Sequence, residues 1–410
     1  MSKVILAIGL MVFFAHFLSL QFRKTNIPDV LVLMLVGILI GPVLGWMTPA
    51  DFGRVGPLIA AIALVVILFE GGTSLNINVL GKSLSATGML AINCFMLSTL
   101  IITLIGYFVL ELGVLQAVFL GVILGSTSAA VVIPMSSSLR LSEKAGTVVV
   151  LESAFTDVLS IVAVFALLQI HTQGEVEAGH LVGSVLSALI FAAVIGVVGG
   201  IGWLIVLGKV RDFPNTISST LAYVFIVYGV TELLGFSGAI AALALGIALT
   251  NSEKFGLHRI PSIDSRVVPL NETDLMFYRE AVFLLKTYFF VYLGISIRFG
   301  NLKIALVALV MVLAVYIMRV ILARYVFQHD EGYSLKDAAY TSMLAPKGLA
   351  SAVLATLPEK YGIAGGDVIR EATFMVVLIS ITITALLVIA YPMPGVRKLY
   401  GWLLGKRDIS

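Results

Sequence analysis

Long apolar runs dominate the chain and constrain its fold more than any other feature of the sequence. Of its 410 residues, 60% are hydrophobic and 12% are charged, whereas an average soluble domain is about 45–50% apolar and roughly 25% charged. Such a chain has too little polar surface to cover a water-facing globule, so we expect it to fold in lipid. This composition excludes a soluble enzyme, a nucleic-acid-binding protein and a disordered scaffold.

The apolar runs predict an all-α membrane protein with about thirteen transmembrane helices. A helix needs about 20 mostly apolar residues to cross roughly 30 Å of hydrocarbon. The candidate spans cover residues 3–21, 28–46, 56–72, 84–110, 115–138, 144–170, 181–208, 216–234, 237–250, 280–299, 303–327, 334–358 and 370–393. The ninth is short enough to be a half-span packed inside protein. The only long polar connection runs from Asn251 to Arg279, so we expect one bundle without a soluble domain.

The distribution of positive charge orients the predicted spans. Seventeen Lys and Arg residues fall on the side that holds the C-terminus and six on the opposite side. Cytoplasmic loops carry the excess of basic residues in membrane proteins. The sequence therefore predicts a cytoplasmic C-terminus and an external N-terminus in the cell (inner) membrane. Three further bases, Lys286, Arg319 and Lys347, fall inside spans.

The thirteen spans divide into two groups of six with one span between them. The second group then begins on the opposite side of the membrane from the first, as in an inverted-topology repeat. The two halves carry a matching irregularity, Gly-Ser-Thr-Ser at 125–128 in the fifth span and Ala-Pro-Lys-Gly at 345–348 in the twelfth. Glycine, proline and hydroxyl side chains each weaken a helical hydrogen-bond ladder. Small residues also serve as packing faces, but paired irregularities favour two crossing broken helices. Such helix ends bind ions at the middle of the membrane.

The densest set of polar groups inside a span is the run ESAFTD from Glu152 to Asp157. Ionisable groups within spans cost about 2.5–3.5 kcal/mol on insertion scales and are functional by default. Residues four apart share a helix face, so Ser153 stacks with Asp157, whereas Glu152 and Asp157 point about 140° apart. One carboxylate is then available to an ion, and the other needs a permanent cationic partner. Arg319 is the natural candidate for that partner.

The run resembles the Glu-Ser-x-x-Asn-Asp signature of NhaP-type cation/proton antiporters, carried here by Glu152, Ser153 and Asp157. Four other motifs also resemble that family: Thr127-Ser128, the run 68–72 (Leu-Phe-Glu-Gly-Gly), Met318-Arg319-Val320 and Pro346-Lys347-Gly348. The resemblance extends from the first span to the last. It implies a secondary antiporter that exchanges protons for Na⁺ or K⁺ by elevator-like alternating access. No cofactor is implied beyond the transported cation and proton.

The resemblance also implies roles for individual residues. Asp157 would bind either a proton or the cation, and further oxygen ligands would come from Ser153, Thr156, Thr127, Ser128 and Glu70. Among these, Asp157, Ser153 and Thr127 would contact the Na⁺ or K⁺ ion directly. Glu152 and Arg319 would form a structural ion pair, and Lys347 would compensate charge at the second broken helix or cap its ends. Two alternatives stay open: the Ser153 hydroxyl bonding to its own helix, and Glu70 serving as an interfacial carboxylate.

Two positions depart from the family pattern. Thr156 stands where the family has asparagine, and Ser128 stands where it has an aspartate. The site therefore has one carboxylate fewer, which bears on cation selectivity. A serine at the position of Ser128 also occurs in a related potassium-efflux branch, so the transported cation could be Na⁺ or K⁺. Because Asp157 is then the only group expected to exchange its proton, we predict electroneutral exchange.

The resemblance implies an ion-carrying core of residues 84–170 and 301–396. Residues 1–83 and 171–300 would supply the linker span and a dimerisation scaffold, and residues 397–410 a cytoplasmic tail. We expect a homodimer in the lipid bilayer with no nucleic-acid partner, and the chain is compatible with a cytosolic regulatory domain following it. A cation channel, which would usually show a repeated filter segment, is an alternative function. A sodium-coupled symporter for an organic anion, which would need a larger polar cavity, is another.

Overall fold

Helices joined by short connections make up the part of the chain that the computed structural model describes, and that part contains no strand. The described residues are 9, 12–17, 29–52, 55–73, 75, 77–173, 178–210, 216–252, 270–328 and 332–405. The helices are α1 (Asp29–Ile38), α2 (Val55–Thr73), α3 (Ile77–Phe108), α4 (Val114–Leu124), α5 (Ala129–Ser138), α6 (Glu143–Gln173), α7 (Ala178–Val210), α8 (Ser219–Leu233), α9 (Gly238–Thr250), α10 (Glu272–Ser296), α11 (Leu302–Phe327), α12 (Leu335–Met343), α13 (Leu349–Leu354), α14 (Leu357–Lys360), α15 (Gly366–Ala390) and α16 (Pro394–Leu404).

Six helical segments among the described residues are long and apolar enough to cross a membrane. They are Thr87–Phe108, Val114–Ser138, Glu143–Thr172, Ile190–Leu207, Leu302–Phe327 and Gly366–Ala390. Four shorter apolar helices accompany them, at Asp29–Val43, Ala61–Thr73, Ser219–Leu233 and Gly238–Thr250. The helical, membrane-spanning character predicted from the sequence is therefore confirmed. The first predicted span falls largely outside the described residues, and the count of thirteen stays a prediction.

The tenth predicted span begins earlier in the structure than the sequence indicated. We placed its start at residue 280, whereas α10 begins at Glu272. The Asn271 side chain accepts a 2.8 Å hydrogen bond from the Asp274 N–H, and the Asp274 carboxylate accepts one of 3.0 Å from the Asn271 N–H. This reciprocal capping satisfies free N–H groups at the helix start. Charged residues in the first turns conceal this part of the helix from a search for apolar runs.

The described residues fall into two compact units. The first is drawn from Met1–Ala60, Ser85–Leu168 and Leu284–Ser410, and the second from Ala61–Leu84 and Gln169–Phe283. Nearly all of the predicted ion-carrying core lies in the first unit. That unit also holds α1, which the sequence analysis assigned to the scaffold. The functional division into core and scaffold stays a prediction.

Within the first unit, α1 packs closely against α10. A Cβ atom on Gly294 would lie 2.9 Å from the Gly37 Cα atom, so both positions require glycine for the two backbones to approach. The Lys286 ammonium donates a 2.6 Å hydrogen bond to the Asp29 carboxylate, and the Lys286 side chain is only 6% exposed. This intramembrane base is therefore paired with a carboxylate on a neighbouring helix.

Within the second unit, α9 is buried on almost every side, from Gly238 to Leu249. The Asn251 amide at its end bonds to the chain near α3, donating to the Leu75 carbonyl at 2.8 Å and accepting from the Ile77 N–H at 2.9 Å. Protein thus satisfies the Asn251 amide at the end of this 13-residue helix. A helix too short to cross a bilayer is tolerated where it is buried in protein.

Candidate ion-binding site

The interruption predicted in the fifth span is present. Helix α4 ends at Leu124 and α5 begins at Ala129. In the segment between them, the Thr127 N–H donates a 3.1 Å hydrogen bond to Thr156 Oγ1. The Thr127 hydroxyl donates another of 3.1 Å to Glu152 Oε1. These two bonds tie the interruption to α6.

The interruption predicted in the twelfth span is present as well. Helix α12 ends at Met343 and α13 begins at Leu349, with residues 344–348 outside both helices. The Ser128 N–H of the first interruption donates a 2.7 Å hydrogen bond to the Pro346 carbonyl of the second. The two broken helices therefore meet through their main chains.

Side chains reinforce this meeting. The hydroxyl oxygens of Ser126 and Ser351 lie 3.3 Å apart. A Cβ atom on Gly348 would overlap the Ser128 hydroxyl oxygen and lie 2.6 Å from the Ser128 Cβ atom. Only a residue without a side chain allows the two segments to approach this closely.

Asp157 lies buried beside the first interruption, with 2% of its surface exposed. Its carboxylate faces the Ser126 hydroxyl and the Ala129 N–H at the start of α5. Its Oδ1 atom is buried and makes no hydrogen bond to any described residue, and the Ser128 hydroxyl is in the same state. A buried polar atom without a partner is costly. A proton or a cation bound at this carboxylate would remove that cost.

Glu152 and Arg319 form a buried ion pair. Arg319 Nη1 and Nη2 donate to Glu152 Oε1 and Oε2 at 2.9 and 2.8 Å, and their side chains are 1% and 0% exposed. Two parallel charge-assisted bonds are the strongest geometry for such a pair. Because the Thr127 hydroxyl also donates to Glu152, this carboxylate is fully engaged, in contrast to that of Asp157.

Two further donors of Arg319 also have partners. Nη1 lies 3.1 Å from Cys94 Sγ, and Nε donates to the Thr341 carbonyl at 3.2 Å. The sequence analysis identified neither partner. The position of Cys94 in an apolar run indicates burial, but contacts among α3, α11 and α12 leave no spacing pattern in the sequence.

Two predicted cation ligands of α6 make hydrogen bonds within their own helix. The Ser153 hydroxyl donates to the Val150 carbonyl at 2.8 Å, which is the alternative left open for it; its oxygen still has lone pairs for a ligand. The Thr156 hydroxyl donates to the Glu152 carbonyl at 2.9 Å while accepting the Thr127 N–H. Thr156 therefore anchors the first interruption. Ligation by either residue stays a prediction.

Lys347 is buried in the second interruption, with 2% of its surface exposed. Its backbone N–H donates a 2.9 Å hydrogen bond to the Ser380 hydroxyl on α15, a contact that the sequence analysis missed. Its ammonium interacts electrostatically with Asp157 and Glu152.

Glu70 belongs to the second unit, where its carboxylate lies 3.9 Å from Arg279 Nε. Its place in the ion site stays a prediction.

The oxygen atoms gathered at this place in the first unit are hard donors, and one of them, Oδ1 of the buried Asp157 carboxylate, has no hydrogen-bond partner among the described residues. Among the described residues, no group of three or more His, Cys, Asp or Glu side chains is placed to hold a metal ion. Oxygen donors suit hard cations rather than transition metals. The described part of the chain is helical, and its two interrupted helices meet beside a buried carboxylate, an arrangement typical of ion-coupled membrane transporters.

Comparison with known proteins identifies the family. A family model described as "Sodium/hydrogen exchanger, transmembrane" matches residues 9–390. The chain therefore belongs to the sodium/hydrogen exchanger family and is a multi-pass membrane protein of that family of transporters.

Individual relatives agree with this assignment. The K⁺/H⁺ antiporter NhaP2 of Shewanella sp. (strain MR-4) is 24% identical over 365 residues, which cover 88% of this chain and 61% of the relative. The K⁺/H⁺ antiporter NhaP of Alkalimonas amylolytica is 26% identical over 93% of this chain and 64% of its own length. The Na⁺/H⁺ antiporter NhaS2 of Synechocystis sp. is 26% identical over 72% of this chain and 53% of its own length. The chain thus spans less than two thirds of the length of these relatives.

A solved structure shares the fold. The sodium proton antiporter MjNhaP1 from Methanocaldococcus jannaschii, determined by electron microscopy, matches with a TM-score of 0.76 and 21% sequence identity. The match covers all of both chains. The likeness supports the helical arrangement described above.

Proposed function

We propose that the chain is a secondary antiporter that exchanges protons for Na⁺ or K⁺ across the membrane, with Asp157 binding one or the other. The observation that carries this proposal is the buried, unpartnered Oδ1 atom of Asp157 at the meeting point of the two interrupted helices. Family membership and the K⁺/H⁺ and Na⁺/H⁺ antiporters among the relatives support it.

Competition for Asp157 would couple the two fluxes. A hard cation requires the anionic carboxylate, and protonation removes both its charge and one acceptor oxygen. Further oxygens would come from Ser128, which is also buried without a hydrogen-bond partner, and from Ser153, Thr156 and the Thr127 carbonyl. Glu152 and Arg319 would brace the site, because each satisfies the charge of the other. Lys347 would compensate charge where the helices meet.

The same proposal extends to the assembly and its movement. We take the chain as an inverted repeat of about thirteen spans in the inner membrane, with an external N-terminus and a cytoplasmic C-terminus. Residues 84–170 and 301–396 would move as the ion-carrying core against a homodimeric scaffold, as in an elevator. Family membership does not favour the cation channel or the sodium-coupled symporter as alternatives.

Flux through sealed vesicles tests the function. The purified chain is reconstituted with an internal pH dye, and Na⁺, K⁺ or Li⁺ is added outside after an acid-inside gradient is set. We expect cation-dependent alkalinisation of the lumen that needs no other solute. Conductance without proton coupling would indicate a channel, and dependence on an organic anion would indicate a symporter.

The Asp157→Asn variant tests the site. It keeps the size of the side chain while removing the titratable anionic oxygen, so exchange should vanish while the protein still folds. The matched control is Asp367→Asn, which makes the same change at an exposed carboxylate in the first turn of α15. Robust exchange by Asp157→Asn, or equal loss in the control, would overturn the assignment.

A further inference from the structure

Helix α16 follows a membrane-spanning segment almost without a break. Helix α15 ends at Ala390 and α16 begins at Pro394. Three residues extend about 10 Å at most, so α16 begins close to the end of α15, which is long and apolar enough to cross a membrane. The sequence analysis described most of this segment only as a cytoplasmic tail.

One face of α16 is packed on protein. Tyr400 and Leu404 are 5% and 1% exposed, and α16 contacts both α11 and α12. Arg324 Nη1 on α11 donates a 3.3 Å hydrogen bond to the Leu403 carbonyl. Because the last carbonyls of a helix have no partner within it, a cation there stabilises its end. The rotation of α16 about its own axis is thereby fixed.

The opposite face is exposed and combines large apolar side chains with a base. Trp402 is 75% exposed and Leu399 is 50% exposed, and Lys398 is exposed as well. Arg397 is also exposed, but it lies at the edge of the packed face, about 140° from Trp402 around the helix. At about 100° per residue, Lys398 lies next to Trp402, with Leu399 on the far side of Trp402. The helix PGVRKLYGWLL contains two bases and no acidic residue.

We propose that α16 lies in the membrane interface and binds anionic phospholipid headgroups through Arg397 and Lys398. Trp402 and Leu399 would enter the boundary between headgroups and acyl chains. An exposed tryptophan beside a base on a helix that begins close to the end of a membrane-spanning segment is the pattern of interfacial helices. Bases near a membrane surface attract anionic lipids, and Lys406 and Arg407 extend the basic sequence. This proposal stands independently of the exchange activity.

Tryptophan fluorescence tests the position of α16. The chain has three tryptophans, so Trp46→Phe combined with Trp203→Phe leaves Trp402 as the only reporter. In liposomes, lipids brominated near the headgroup end of the acyl chain should quench Trp402 strongly, and aqueous iodide should quench it weakly. Strong quenching by iodide without quenching by brominated lipid would place α16 in water and overturn the proposal.

Lipid retention tests the headgroup. The protein is equilibrated in mixed phosphatidylglycerol and phosphatidylcholine, and the lipids that remain bound are counted by native mass spectrometry. The double variant Arg397→Gln with Lys398→Gln should lose the preference for phosphatidylglycerol several-fold. Arg298→Gln with Lys360→Gln removes two exposed bases elsewhere and should leave the preference unchanged.

Three outcomes would contradict the headgroup assignment. The first is an unchanged preference in the Arg397→Gln, Lys398→Gln variant, and the second is an equal loss in the control variant. The third is displacement of phosphatidylglycerol by millimolar inorganic phosphate, which would indicate a phosphate site. Elution of both variants as a single folded species, checked by size-exclusion chromatography, separates a lost headgroup preference from a lost fold.

Discussion

The Ser128 N–H and the Pro346 carbonyl are joined by a 2.7 Å hydrogen bond that links the two interrupted helices. Each interruption exposes main-chain groups that lipid cannot satisfy. Here one interruption supplies an acceptor for a donor of the other. Neither segment can therefore shift alone without leaving a buried polar group unpaired.

Close packing at this link makes Gly348→Ala destabilising. The added Cβ would overlap the Ser128 hydroxyl oxygen, and overpacking of this kind costs about 1–3 kcal/mol. We expect a lower melting temperature in detergent, partly restored when Ser128→Gly is added. The control is Gly229→Ala on α8, where a Cβ meets no atom within 4 Å. A Gly348→Ala variant as stable as this control would show that the link is looser than described.

Removing Glu152 should unfold the site. The Glu152→Ala variant leaves the Arg319 guanidinium buried without its anion, and breaking a buried pair costs on the order of 3–5 kcal/mol. We expect a large loss of thermal stability, partly rescued by combining Glu152→Leu with Arg319→Met. Glu143→Ala, at the exposed start of the same helix, should have little effect. If Glu152→Ala matches the parent in stability and alters only cation affinity, Glu152 is a ligand rather than a brace.

The Thr156 hydroxyl should matter for structure more than for ligation. Thr156→Val keeps the shape but removes the acceptor of the Thr127 N–H, and an unsatisfied buried donor costs about 1–3 kcal/mol. Thr156→Ser keeps the hydroxyl and should stay close to the parent in melting temperature and exchange rate. Equal behaviour of the valine and serine variants would remove Thr156 from the anchoring role.

Exchange should be electroneutral. Glu152 is held by Arg319, and neither Thr156 nor Ser128 can titrate, so one proton on Asp157 exchanges for one monovalent cation. Transport in vesicles should then be insensitive to a membrane potential clamped by an ionophore. Rates that follow the potential, or a sustained current on a solid-supported membrane, would contradict this stoichiometry. Lys347 and Glu70 would be the next residues to substitute.

Local sequence patterns were sufficient for the two interruptions and for the pairing of Glu152. Gly-Ser-Thr-Ser and Ala-Pro-Lys-Gly weaken a helix wherever it packs, so their effect can be read from the chain itself. Helix periodicity places Glu152 and Asp157 on different faces of the helix. A buried carboxylate that does not bind a transported ion needs a basic side chain as its partner, and only a few bases lie inside the predicted spans. The structure places Arg319 at that position.

Contacts set by packing between distant helices could not be read in this way. Cys94 and Thr341 meet Arg319, and Ser380 meets Lys347, across sequence separations of 22 to 225 residues. No spacing rule connects such positions. The start of α10 was missed because its polar residues cap the helix, and α16 was missed because its exposed bases interrupt any apolar run.

Cys94 is the only cysteine of the chain, and it is buried against the Arg319 guanidinium. A thiol that water does not reach reacts slowly with maleimides. Cysteines introduced one at a time at exposed positions can therefore be labelled on the natural background, without first replacing the native residue. The accessibility of positions on each side of the two interrupted helices can then be mapped by labelling, with every introduced cysteine compared in the same parent protein.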